Sequence, residues 1–275
     1  MPVWRQSSSP RPRSEPTSMT RWRAVVELTR LPGYPEVDGI KVARLPPGQG
    51  RRGPNSPSCI SARELCELEF EPIKFVVPGY IAEGLTLFAG KPKLGKSWLC
   101  MEMGLAVASG GSCLGEVRCE QGDVLYLALE DNRRRLQSRI RRLWQMDAMS
   151  RVPVPARLHL ATDWPRANEG GIAAIGSWIQ EHPNARLVIV DVLAMFKATS
   201  KGKDQTLYEA DYLAIKDLQA LAMASGVAIV VVHHTRKSAA ENDPFEKVSG
   251  TLGLSGAADT TIILDRDQNG CTLYG

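Results

Sequence analysis

Gly90-Lys91-Pro92-Lys93-Leu94-Gly95-Lys96-Ser97 is the stretch that decides how this chain folds. Its spacing is G-x-x-x-x-G-K-[ST], a loop that wraps the phosphates of a nucleoside triphosphate. The flanks suit that reading. Before it, Gly84-Leu85-Thr86-Leu87-Phe88-Ala89 is a short apolar run that reads as a buried strand. After it, the residues from Ser97 to Ala108 read as a helix. A strand, a glycine-rich turn and a helix N-terminus together make an anion site, because backbone N–H groups converge and the helix dipole favours negative charge. Gly90 and Gly95 supply backbone freedom and let phosphate approach closely. Lys96 is expected to neutralise the β- and γ-phosphates, and the Ser97 hydroxyl to bind Mg²⁺. With Lys91, Pro92, Lys93, Leu94 and Trp98, these residues form the expected ATP-binding segment.

Working outward, the chain has 275 residues, 43% of them hydrophobic, which suits one large α/β domain or two small ones. No apolar run approaches the ~18–20 residues that a membrane span needs. No apolar stretch follows the early arginines Arg5, Arg11 and Arg13, so no signal peptide is read. Six cysteines are scattered without C-x-x-C pairs, which points to reduced thiols and a cytoplasmic setting. The net charge of +4 is unevenly placed. Residues 1–58 carry ten Lys/Arg and four acids, or +6, leaving 24 bases against 26 acids, or −2, in the remainder. A basic arm on a near-neutral domain suits nucleic acid, and it equally describes a solvated tail.

Residues 1–58 are expected to be a disordered or linker segment, with Pro, Ser and Arg concentrated in 1–20 and a strand-like alternation at Ile40–Leu45. Ser61 and Glu64 have capping-box spacing at the start of a short helix. From about residue 80 strands and helices alternate. Strands are expected at 84–89, 123–129, 157–161, 186–191 and 227–233, and helices at 96–109, 131–146, 170–181 and 207–225. A closing hairpin fits 260–265 and 271–274 around Asn269-Gly270. Near-continuous apolar strands require a parallel sheet covered on both faces. The expected fold is therefore a doubly covered, mostly parallel α/β domain over residues 59–275.

Three strand ends carry chemistry. Leu187-Val188-Ile189-Val190-Asp191 ends in a carboxylate, where an open α/β sheet gathers its ligands, so Asp191 is expected to hold Mg²⁺. Val124 to Ala128 leads into Leu129-Glu130-Asp131; Glu130 suits the carboxylate that polarises the attacking water, and Asp131 suits an N-cap. His233 and His234 follow Val230-Val231-Val232, and strand alternation lets one of the pair face the nucleotide. The polar stretch 238–248 and the small-residue run Ser249–Asp259 read as a segment able to respond to nucleotide state, or as a plain loop and short helix.

In this order, these elements resemble the RecA-like P-loop ATPases, and most closely the AAA family ATPases of bacteria, phages and plasmids allied to RepA-type hexameric replicative helicases. The resemblance covers roughly residues 75–275, from Pro78-Gly79-Tyr80 through Tyr126–Asp131, Val190-Asp191 and His233–Lys237 to Gly253–Thr260. It implies a RecA-like fold, Mg·ATP hydrolysis coupled to DNA handling in replication, a homohexamer, and single-stranded DNA as partner. It also implies that Glu130 is the catalytic glutamate, Asp191 the Walker B acid and His234 the sensor. The chain departs from the pattern at 247–251, where Lys247-Val248-Ser249-Gly250-Thr251 holds no arginine for a trans finger. Relatives continue past the position of Gly275, which implies a shortened C-terminus, and Val42–Gly48 resembles the tail of a primase-type domain. Two other readings of the P-loop are an ATP-dependent regulatory switch and a small-molecule kinase. The latter would use the arginines at 133–142 to clamp phosphate.

Overall fold

A computed structural model describes residues 59–70, 72–144, 153–198, 207–235, 252–267 and 270–275. The expected strand at 40–45 and the loop at 238–248 lie outside these residues, as do Arg236, Lys237 and Lys247. The described residues fall into two units, divided between Glu71 and Pro72.

Among its described residues, the first unit contributes one helix, α1 (Ala62–Glu67), capped as its spacing predicts. The Ser61 N–H donates to Glu64 Oε2 at 2.9 Å, and the Glu64 N–H donates to Ser61 Oγ at 3.2 Å. Each partner satisfies an N–H that the helix start leaves open.

The second unit runs β1 (Phe75–Val77), β2 (Ile81–Ala82), β3 (Gly84–Gly90), α2 (Lys96–Ser109), β4 (Ser112–Cys113), β5 (Val117–Arg118), β6 (Asp123–Ala128), α3 (Arg133–Leu143), β7 (Leu158–Ala161), α4 (Gly171–Glu181), β8 (Ala185–Asp191), α5 (Leu193–Phe196), α6 (Leu207–Ser225), β9 (Ala228–His234), α7 (Leu252–Ala257), β10 (Thr260–Asp267) and β11 (Gly270–Tyr274). The central sheet has the order β11-β10-β3-β9-β8-β6-β7. Every pairing in it is parallel except the terminal β10–β11 hairpin. The fold is thus RecA-like, a largely parallel sheet flanked by helices and closed by an antiparallel hairpin.

Successive strand side chains point to opposite faces, so a strand covered on both sides must be apolar throughout. Phe88, Val124, Tyr126, Leu187, Ile189, Val230 and Val232 pack on one face with Leu99, Cys100 and Met103 of α2. Leu87, Leu125, Leu127, Val188, Val190, Ile229 and Val231 pack on the other with Ile175 of α4 and Ile215 and Leu218 of α6. Residues 145–146 of the expected third helix lie outside the described residues, and its helical stretch ends at Leu143. The β1–β2 and β4–β5 pairs and the four-residue α5 have no counterpart among the elements expected from sequence. Strands of two or three residues are too short to show a period.

Asp259 anchors the start of β3. Its Oδ2 accepts from the Leu85 N–H at 2.7 Å, and its Oδ1 accepts from Gln219 Nε2 of α6 at 2.7 Å. The carboxylate sits so close to Gly84 that a Cβ there would meet Asp259 Oδ2 at 2.7 Å. Among the described residues, no helix is long and apolar enough to cross a membrane.

Candidate active site

Strand register assembles the site. Gly90 pairs with His234 across β3–β9, and Ala128 pairs with Asp191 across β6–β8. Val190 of β8 pairs with Val231 of β9, so Asp191 and Ala128 stand two residues before the level of Gly90 and His234, and the carboxyl ends of all four strands share the edge where open α/β sheets gather ligands. Glu130 follows in the turn beyond Ala128, and the Leu129 N–H donates to the Asp191 carbonyl at 2.8 Å.

The loop after β3 has the geometry its glycines require. A Cβ on Gly90 would stand 2.5 Å from the Leu264 carbonyl oxygen, so no side chain fits without moving β10. Gly95 is the N-cap of α2 with φ 104°, a left-handed conformation that favours glycine. Lys96 is buried, 3% exposed, and folds back over the loop. Its Nζ donates to the carbonyls of Gly90 at 2.7 Å and Lys91 at 2.8 Å. Burial pulls its pKa down to about 8, against the opposing pull of the nearby Asp191 carboxylate. Among the described residues, the hydrogen-bond partners of this buried cation are two neutral carbonyls, weaker acceptors than an anion.

Asp191, at the end of β8, is buried. Its Oδ2 accepts from the Tyr126 hydroxyl at 2.7 Å. Burial, and then the Asp191 charge, push the phenol well above its ordinary pKa, so it remains a donor. In the sequence, Tyr126 shows only as one residue of an apolar strand.

Glu130 and His234 meet across the edge. His234 Nε2 lies 3.6 Å from Glu130 Oε2, with the two side chains 36% and 50% exposed. Alternation settles which histidine shares the P-loop face. Ala228, Val230 and Val232 pack beside α2, and His234 continues that series whereas His233 does not. Among the described residues, the His234 Nδ1 is buried without a hydrogen-bond partner. An orphaned ring nitrogen beside the loop fits a site shaped for a polar ligand.

Asp131 does not cap α3. The N-cap is Asn132, whose side chain accepts from the Arg135 N–H at 2.9 Å. The strand ends at Ala128, so the turn carries Asp131 one residue short of the cap position. Asp131 instead binds Arg135 Nε at 2.6 Å and Arg139, and Arg135 also donates to the Glu130 carbonyl at 2.8 Å. Arg139 and Arg142 lie over the Trp98 ring at 5.6 and 5.7 Å from its centroid. Arg135, Arg139 and Arg142 therefore link α3 to the Glu130 turn and to Trp98 of α2, while Arg133, Arg134 and Arg141 stand exposed.

The donors fit Mg²⁺. Ser97 and Asp191 offer a hydroxyl and a carboxylate, hard oxygens of the kind Mg²⁺ uses beside phosphate and water. Among the described residues, no group of three or more His, Cys, Asp or Glu forms a metal cage.

The fold and this edge define an ATPase domain of the AAA class. A family model described as an AAA domain matches residues 55–240, and the chain belongs to that family. No curated protein matches the chain. Among solved structures, it is similar to one described as an ATPase domain, with a TM-score of 0.50 and 12% identity over 68% of this chain and 71% of that one. It is similar also to a DnaB-like replicative helicase described with its primase interactions, with a TM-score of 0.51 and 14% identity. That match covers 69% of this chain and 49% of the helicase chain, so the chain spans about half of that relative's length. At such identities the likeness is one of fold.

Proposed function

We propose that this chain binds and hydrolyses Mg·ATP and couples hydrolysis to the handling of single-stranded DNA. One observation carries the reading: a buried lysine folded over a glycine loop, on the same sheet edge as Asp191, Glu130 and His234. Lys91 to Gly95 and the first turn of α2 receive the phosphates, and Lys96 leaves its carbonyl partners for phosphate oxygens. Ser97 and Asp191 would hold Mg²⁺, which would supply charge to offset that developing on the phosphates. Glu130 takes a proton from the attacking water, and His234 reports the γ-phosphate to the chain beyond β9. The domain spans residues 59–275 behind the basic arm 1–58, which with Arg236, Lys237 and Lys247 offers charge to DNA. The hexameric state of the resembling helicases is the proposed assembly, with Lys247 or Arg266 standing in for an arginine finger.

Binding by those cations must weaken with salt through counterion release. Single-stranded DNA is expected to stimulate ATP turnover at low salt and progressively less as salt rises. Replacing residues 238–248 with a Gly/Ser linker should remove the stimulation. Turnover measured with and without single-stranded DNA across a salt series tests this; no stimulation at any salt would leave a nucleotide switch without a DNA motor.

A pH dependence follows from Lys96. Its pKa of about 8 in the free protein rises when an anion replaces the loop carbonyls, so binding takes up a proton. ATP affinity is therefore expected to be full below pH 8 and to fall as pH rises through 8, by at most about tenfold per unit. Calorimetric titration in buffers of different ionisation enthalpy reads the proton uptake directly. A pH-independent affinity with no proton uptake from pH 7 to 9 would contradict it.

A further inference from the structure

The Tyr126 hydroxyl lies beside both proposed metal-holding residues. It donates to Asp191 Oδ2 at 2.7 Å and lies 3.4 Å from the carbonyl oxygen of Ser97. The phenol has one proton, so the short bond takes it and the Ser97 carbonyl is at most a weak second acceptor. Tyr126 is fully buried, on the α2 face of β6. Strand order brings it to Asp191, because β6 lies directly beside β8 and Ala128 pairs with Asp191. A packing role alone would need the ring and not the hydroxyl. The hydroxyl instead holds one oxygen of a buried carboxylate and so fixes its rotation.

We propose that Tyr126 is the positioning residue of the metal site, its phenol orienting the Asp191 carboxylate toward the Ser97 end of α2. The inference rests on the Mg·ATP reading above. Groups that orient a metal ligand typically govern metal affinity by about 10–100-fold. Removing the Tyr126 hydroxyl should therefore raise the Mg²⁺ requirement while leaving the phosphate loop able to bind nucleotide.

The test uses the full chain, a fluorescent ATP analogue and Mg²⁺ titrated from a chelator-buffered start. Tyr126→Phe is expected to shift the Mg²⁺ concentration for half-maximal tight binding upward by about tenfold or more. Its Mg²⁺-free affinity for the analogue should match wild type, which also shows that the variant is folded. Asp191→Asn, alone and combined with Tyr126→Phe, should give one shared Mg²⁺ midpoint, because the phenol acts through the carboxylate. An unchanged midpoint in Tyr126→Phe, an equal loss of affinity with and without Mg²⁺, or additive shifts in the double variant would overturn the positioning role. Wild-type protein whose nucleotide binding ignores Mg²⁺ would instead overturn the Mg·ATP reading, and this inference with it.

Discussion

Glu130→Gln is expected to lower ATP turnover by about 10²–10⁴-fold, the usual loss of a general base. Nucleotide binding should persist. Glutamine keeps the shape of glutamate and loses only the basic oxygen. The position tolerates the exchange because Glu130 lies in an exposed turn beyond β6 and fills no core space. Its backbone stays in place, since Arg135 grips the Glu130 carbonyl and Asp131 grips Arg135. The neighbouring acid offers no ready substitute. Asp131 is committed to Arg135 and Arg139, so its carboxylate is not free to polarise water. Single-turnover phosphate release, alongside retention of bound nucleotide on a filter, separates hydrolysis from binding. Wild-type release by Glu130→Gln would move the base elsewhere on the edge.

Lys96→Ala is expected to weaken ATP binding by roughly 10–100-fold. A hydrogen bond to a charged group contributes about 1.5–3 kcal/mol, and about 1.4 kcal/mol is tenfold in affinity. The side chain is buried and already within reach of the loop that would cradle phosphate, so little ordering is needed on binding. Its loss also leaves the Lys91 carbonyl without the ammonium, whereas the Gly90 carbonyl keeps the Thr235 N–H at 3.2 Å. Titration with a fluorescent ATP analogue checks this; equal affinity in mutant and wild type would remove the P-loop assignment.

The loop and the sheet are legible in the sequence for different reasons. Phosphate binding restricts residue types at fixed spacing, so Gly90, Gly95, Lys96 and Ser97 stand out in one dimension. The strands at 84–90, 123–128, 185–191 and 228–234 stand out because both faces are covered, which leaves no polar alternation. What stays hidden depends on which strands are neighbours. Tyr126 and Asp191 are 65 residues apart, and nothing in Val124–Ala128 singles out a hydroxyl aimed at a carboxylate. Only the placement of β6 beside β8 does so. The cap of α3 falls on Asn132 rather than the expected Asp131 because Asp and Asn serve equally well, and the turn after Ala128 decides between them. The anchoring role of Asp259 likewise needs β3 and α6 to be brought together.

Phosphate release from ATP by the wild-type chain, followed in excess Mg²⁺ and in excess chelator, tests the central claim most directly. Steady release is expected with Mg²⁺, none above background with chelator, and loss of the Mg²⁺-dependent release in Glu130→Gln. A chain that binds ATP with Mg²⁺ yet releases no phosphate, or releases it equally with chelator present, would contradict it.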